Sequence, residues 1–366
     1  MRNQNIPIEA NEFKPSLSLT PEDCVLDVTG AKQFLSEVLT DLPQNCFFDK
    51  QVCGCNGTHL ALTNDIPYII VVPFVEIIRS KNFQPWCNKV YPVSAGTDEY
   101  KEWIKDKPST LRKAIKSNVK KFLVTYASLA RLTKESGKKT KEFQLLIDEA
   151  HRLTDADDKN YIHKAIRQIL ELYPRYKSVC FMTSTPYERA CFPEEIMHLL
   201  LYRAKWRPLT PVKLVSQRIS SLFHTHTAHI ALEHIQNKRE GDPFFFYNSV
   251  EGIGNVVKKL LKANVCSVQD IRIIASKRSL ADENPEYTDL KNYSLHETYL
   301  KRYIHKDLKI ETVKDCSQTP KRINFLTATA FEGCDIYQET GVTYICADGN
   351  RINTRLEIHT KNSPNH

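Results

Sequence analysis

The run Phe143-Gln-Leu-Leu-Ile-Asp-Glu-Ala-His-Arg-Leu153 constrains this chain more than any other stretch. Its apolar residues suit one short, fully buried parallel strand. Asp148 and Glu149 fall where that strand would end. Ligands of open α/β sheets bind just beyond the carboxyl ends of strands. An aspartate there can hold Mg²⁺, usually through water, and a neighbouring glutamate can orient or deprotonate an attacking water. A strand that simply ends in two solvated acids accounts for the same residues.

Other apolar runs repeat the pattern. Tyr68-Ile-Ile-Val-Val-Pro73, Phe122-Leu-Val-Thr-Tyr126 and Ser178-Val-Cys-Phe-Met-Thr183 read as buried strands. Helical spacing precedes them over Ala31–Leu39 and falls between them over Phe74–Lys81 and Ile162–Tyr173. Pro21-Glu22-Asp23 suits a short helix start, and Gly137-Lys-Lys-Thr140 a turn. Trp206-Arg-Pro-Leu-Thr-Pro211 interrupts regular structure and marks a boundary. Beyond it, Pro243–Tyr247, Ile271–Ala275, Arg322–Thr327 and Val342–Cys346 read as further strands, with helices over Ser220–Asn237 and around Val256–Leu261. Residues 277–320 read as a polar excursion from this second core. The expectation is an α/β chain in two domains, residues 21–207 and 208–366, behind a loose arm of residues 1–20.

Asn45 to Leu62 has the order strand, turn, helix, which a phosphate-binding loop requires. Glycines let backbone N–H groups face an anion, and a following helix N-terminus favours negative charge. Gly54, Cys55, Asn56, Gly57 and Thr58 stand against the G-x-G-K-T core of such a loop, and His59 follows. Asn56 replaces the second glycine and Gly57 the lysine, while Thr58 keeps the hydroxyl that would touch Mg²⁺. Three readings fit. The loop binds nucleotide without hydrolysing it; another cation substitutes, Lys50 first and His59 second; or it is a plain glycine turn.

Composition narrows the class. The chain has 366 residues, 41% hydrophobic and 26% charged, which suits folded rather than disordered protein. The formal charge of +8 permits contact with a polyanion, and the run Lys101–Lys121 is a basic face, either solvated or phosphate-contacting. No apolar run is long enough to span a bilayer, and the N-terminus lacks a secretory apolar core. The 11 cysteines show no paired framework, so an intracellular, cytoplasmic setting with reduced thiols is expected. Cys53 and Cys55 lack a second pair at zinc spacing, and His226 and His229 lack a third ligand. The acidic loop Thr154–Asp158 lacks the glycine and terminal glutamate of an EF-hand.

The tetrad Asp148-Glu149-Ala150-His151 resembles the DEAH box of superfamily 2 helicases. The other motifs of that family follow in order: the defective Walker A loop, Pro73 in a motif Ia region, Thr125 in a motif Ib region, Thr183-Ser184-Thr185 like the S-A-T motif III, Asn248-Ser249 like motif IV, and Thr327 with Gly333 and Asp335 like motif V. The resemblance implies two RecA-like domains, each a mainly parallel sheet flanked by helices, with ATP and Mg²⁺ as cofactors. It implies Thr58 and Asp148 on the metal, Glu149 activating water, and loop amides with Gly333 and Asp335 lining the nucleotide cleft. His151, Thr183, Ser184 and Thr185 would couple nucleotide state to the second domain. Pro73, Thr125, Asn248, Ser249 and Thr327 would meet the backbone of DNA or RNA, single-stranded and read without sequence preference. The arginine-bearing motif VI, Q-x-x-G-R-x-x-R, is not found; Arg351 and Arg355 have the wrong context. Two functions therefore compete: an ATP-dependent helicase or translocase, and a degenerate helicase-like module that binds without turnover. A metal nuclease is a weaker third, since no separate carboxylate-lysine constellation occurs.

Overall fold

The computed structural model describes residues 6–9, 23–75, 77–78, 89–94, 110–117, 119–154, 161–185, 191–207, 213–216, 219, 222–275, 295–311, 319–327 and 340–347. They form two compact units, one within Ile6–Val215 and the other within Ser216–Ile358. The division between the units, Val215/Ser216, falls within the strand Lys213–Ser216.

The larger unit contains β1 (Ile6–Glu9), β2 (Asp23–Asp27), β3 (Cys46–Asp49), β4 (Tyr68–Val72), β5 (Val90–Val93), β6 (Lys121–Thr125), β7 (Gln144–Ile147), β8 (Ser178–Thr183), β9 (Leu200–Lys205) and β10 (Lys213–Ser216). β1 pairs with β10, so part of the stretch expected to be a loose arm is a strand. The remaining eight strands form one sheet in the order β2-β9-β3-β8-β7-β4-β6-β5. Every ladder in it is parallel.

Parallel strands are covered on both faces, so they read as continuous apolar runs. Successive residues still point to opposite faces. Phe47, Ile69, Val71, Phe122, Leu145 and Phe181 pack one core. Phe48, Tyr68, Ile70, Leu123, Leu146 and Met182 pack the other. The α-helices Leu111–Lys116, Leu129–Ser136 and Tyr161–Leu172 and the short helix Gly57–Thr63 accompany the sheet among the described residues.

Three sequence expectations fail locally. Ala31–Leu39 contains only the 3₁₀ turn Leu35–Glu37. The Glu37 carboxylate accepts backbone N–H groups from Lys32 at 2.5 Å and Phe34 at 3.3 Å, and the Leu35 N–H goes to the Cys55 carbonyl at 2.9 Å. Side-chain capture of backbone donors competes with a helix. Asp23 begins β2 rather than a helix. Lys121 does not belong to a basic face: it is 4% exposed. Its Nζ donates to Ala61 O and Asn64 Oδ1, both at 2.6 Å, and lies 5.0 Å from the centre of the Tyr68 ring. Burial pulls this lysine down to about 7, against the attraction of Asp41 and Asp65. A cation at the carboxyl end of Gly57–Thr63 suits the helix dipole and ties that helix to the sheet.

The smaller unit has the order β12-β13-β11-β14, with β11 (Asp242–Tyr247), β12 (Ile271–Ile274), β13 (Ile323–Leu326) and β14 (Gly341–Cys346), again all parallel. Helices Phe223–Ile235, Val250–Lys262 and Leu295–Tyr303 accompany it. The last lies inside the stretch expected to be an excursion. Phe245 sits between Phe325 and Tyr344, at ring distances of 5.4 and 4.8 Å. The chain is thus α/β, with two mainly parallel, helix-flanked sheets of the RecA-like kind. No described helix is long and apolar enough to cross a membrane.

Candidate nucleotide site

The sheet order places β3, β8, β7, β4 and β6 side by side with their carboxyl ends on one edge. Lys50, Thr183, Asp148, Pro73 and Thr125 stand at or just beyond those ends. In the chain these five positions span from residue 50 to residue 183; the parallel register gathers them.

The loop after β3 leaves the sheet at Lys50, whose N–H donates to the Thr183 carbonyl at 2.8 Å. It turns through Gln51 at φ 63°, Gly54 at φ 71° and Asn56 at φ 60°. Such left-handed positions favour glycine and are tolerated by asparagine. The helix Gly57–Thr63 follows, and no side chain caps its N-terminus at Asn56. Thr58 lies in its first turn. Its Oγ1 donates to Asp148 Oδ2 at 2.6 Å, across 90 residues of chain.

Gly57 fills the position where the resembled Walker A pattern has lysine, and a side chain there would have to displace the end of Met182. A Cβ there would lie 2.7 Å from Met182 Sδ and 3.4 Å from Leu35 Cδ1. Met182 is fully buried in β8. Lys50 instead brings a cation from the strand side. It is 7% exposed. Burial alone would lower its ammonium, but Asp148 and Glu149 outweigh burial and hold it above the ordinary lysine value.

Asp148 is 5% exposed. Burial raises its carboxyl above the usual carboxylate range, against the opposing pull of Lys50 and the Thr58 hydrogen bond. Glu149 follows in a turn at φ 54°, a conformation that costs a non-glycine residue roughly 1–2 kcal/mol. Its N–H donates to Asp148 Oδ1 at 3.0 Å. Burial would raise Glu149 as well, but the hydrogen bond from His151 and the charge of Lys50 prevail and hold it low. His151 Nδ1 lies 3.2 Å from Glu149 Oε2 and 3.0 Å from Thr183 Oγ1. A proton on Nδ1 serves both oxygens. Thr183 Oγ1 also accepts the Thr185 N–H at 3.0 Å, and Ser184 Oγ lies 3.0 Å from Cys53 Sγ.

Two adjacent carboxyls therefore carry opposite perturbations, which is the separation acid–base chemistry uses. The hydroxyl of Thr58 and the carboxylate of Asp148 are the hard oxygen donors that Mg²⁺ takes, so the donor set fits that ion. Bound there, the ion would offset phosphate charge and polarise a phosphoryl oxygen.

The remaining sequence candidates divide. His59 is half-buried on the helix, and its carbonyl accepts from Thr63 Oγ1 at 2.8 Å. Cys55 is buried; burial raises its thiol, while Lys50 and the Gly57 N–H lower it. Thr125 is buried, with Oγ1 donating to Ser128 Oγ at 3.0 Å. In the smaller unit, Ser249 caps the helix Val250–Lys262 by accepting the Gly252 N–H at 3.0 Å, and Asn248 precedes it. Thr327 is buried beyond β13, its N–H on the Ile274 carbonyl at 3.0 Å. Gly333, Asp335, Arg351, Arg355 and the acidic residues 155–158 lie outside the described residues.

Sequence reading missed four contributors. Asp49 ends β3 with 2% exposure, and burial pushes it up to about 6 against hydrogen bonds from Gln51 and the charge of Arg203. Trp206 donates its indole N–H to the Lys50 carbonyl at 2.8 Å. Met182 fills the space beside Gly57. Tyr126 donates its phenol to the Asp148 carbonyl at 2.6 Å and approaches the Glu149 carbonyl at 3.2 Å. Only Tyr126 had a visible signal, an amphipathic residue at the end of a buried run.

No protein-family model and no curated protein matches the chain. Among solved structures, one similar fold is the helicase Lhr of Mycobacterium smegmatis, bound to ssDNA and AMP-PNP, at 12% identity and TM-score 0.43. The match covers 80% of this chain and 39% of that one.

Proposed function

We propose that the larger unit binds Mg-ATP and hydrolyses it, as the ATPase of a DEAH-type helicase or translocase acting on single-stranded DNA or RNA. The observation that carries this reading is the Thr58–Asp148 hydrogen bond at 2.6 Å, with Lys50 buried and its ammonium favoured by the charge of the same carboxylate. Loop and acidic strand end thereby share one space, which is what phosphoryl transfer requires. Thr58 and Asp148 hold the metal, the amides from Gly54 to His59 take the phosphates, Lys50 supplies the missing cation, and Glu149 orients water. His151, Thr183, Ser184 and Thr185 link the acids to neighbouring strands. Pro73 and Thr125, at strand ends of the same unit, are its candidates for contact with the nucleic-acid backbone, and Asn248, Ser249 and Thr327 are the smaller unit's own candidates.

The test is phosphate release from Mg-ATP with and without single-stranded DNA and RNA. Turnover that rises with nucleic acid and disappears in Glu149→Gln is expected. Wild-type protein that binds no nucleotide would refute the reading. A second reading, binding without turnover, is favoured by the packing of Met182 over Gly57. It predicts that Mg-ATP raises the melting temperature while no phosphate is released.

A further inference from the structure

Tyr126 is the first residue after β6 and opens the 3₁₀ turn Tyr126–Ser128. Its ring is 4% exposed. Its hydroxyl donates to the Asp148 carbonyl at 2.6 Å and lies 3.2 Å from the Glu149 carbonyl. Those carbonyls belong to the turn in which Glu149 is held at φ 54°. In that turn the side chain's direction is set by the backbone, because the Glu149 N–H is also fixed on Asp148 Oδ1. One phenol thus grips the turn from the end of β6, across the intervening β4.

The geometry points to Tyr126 as a positioning residue that aims Glu149 and transmits to it the occupancy of the β6 strand end, a role that rests on the hydrolytic reading above. Thr125 precedes it directly and is the residue assigned there to the nucleic-acid backbone. A shift of Thr125 therefore moves the phenol, and the phenol moves the turn. Tyr126 itself touches no reacting atom.

Tyr126→Phe in the full chain removes one hydroxyl and keeps the ring. Tyr176→Phe is the matched control: its phenol is also buried, 2.6 Å from Thr133 Oγ1, in the same unit. Steady-state phosphate release from Mg-ATP is measured with and without oligo-dT and oligo-U. Partners that orient a reacting group are worth about 10–100-fold, so Tyr126→Phe should lower kcat by that factor while KM stays within about twofold. The ratio of stimulated to basal rate should fall toward one. Tyr176→Phe should keep both the wild-type kcat and the wild-type ratio. Wild-type turnover with an unchanged Tyr126→Phe, or an equal fall in both variants, overturns this inference alone. A wild-type chain that releases no phosphate overturns the hydrolytic reading and this inference with it.

Discussion

Replacing Lys50 by methionine separates a built cation site from an incidental one, whatever the turnover. Lys50 is 7% exposed and Asp148 5% exposed, and Glu149 is the third charge of the group. With histidine left aside, the three sum to −1. Lys50→Met makes the sum −2, Asp148→Asn makes it 0, and the double variant restores −1. Removing the lysine leaves the charge of two buried carboxylates less compensated. Lys50→Met should therefore lower stability in urea unfolding at pH 8. Adding Asp148→Asn should recover a measurable part, on the order of 1–3 kcal/mol, the usual coupling between residues in one network. The pH dependence gives an independent check. The folded carboxyl of Asp148 already lies above its ordinary value, so it adds stability at low pH that is lost as pH rises through the folded value. Without Lys50 that value rises further, and the variant should approach wild-type stability near pH 5 and fall away toward pH 8. Strictly additive losses, or a deficit independent of pH, would refute the coupling and leave Lys50 as a packed aliphatic stem.

Three other expectations follow from single contacts. Gly57→Ala drives a Cβ to 2.7 Å from Met182 Sδ; overpacking of this kind costs about 1–3 kcal/mol in chemical denaturation, and Gly57→Lys should not raise phosphate release, which a lysine accommodated in the loop would. Asp49, pushed up to about 6 from 3.8 by burial, adds stability at low pH that is lost as pH rises from about 4 to about 6, up to about 3 kcal/mol. Asp49→Asn should therefore flatten the stability profile in that window, and an unchanged slope in urea titrations would contradict it. Trp206, bonded to the Lys50 carbonyl at 2.8 Å, should change its fluorescence when Mg-ATP binds; Trp206→Phe should abolish the change, and persistence of the full signal would place the reporter elsewhere.

The strands that form the site were legible because they are buried on both faces. β4, β6, β7 and β8 are apolar almost without interruption, and a period-free apolar run bounded by polar residues has few other solutions. The strands that went unread are at or near the edges. β5 contains Pro92, which argues against a strand from sequence, yet β5 is the last strand of the sheet, where a missing N–H is tolerated. β2 alternates and is half exposed. Ala31–Leu39 has helical spacing, but Glu37 and the Cys55 carbonyl take the donors a helix would need. Lys121 sits in a basic run, and only the fold shows that it faces a helix terminus. The acids and Thr58 were legible as residue types at strand and helix ends. Their meeting at 2.6 Å depends on which strands are neighbours, which no local pattern encodes.

The glycine at 57 and the lysine at 50 are best understood as one arrangement. A lysine on the helix side needs room for its stem between helix and sheet, and here Met182 and Leu35 occupy that room. A lysine on the strand side needs no such room, because it leaves the sheet at the edge where the carboxylates stand. Its burial is tolerable only because Asp148 and Glu149 are already there, and the burial of Asp148 is tolerable only because the cation and the Thr58 hydroxyl are. Each group thus sets the protonation state of the others, and an incoming phosphate would compete with the carboxylates for the same ammonium. Affinity for a polyphosphate at this site should therefore depend on metal ion more steeply than where the lysine is unpaired, since with Asp148 holding the ion Lys50 would be left to the phosphate. A phosphate affinity indifferent to Mg²⁺ would mean that Lys50 never leaves the acids, and that the loop binds through its amides alone.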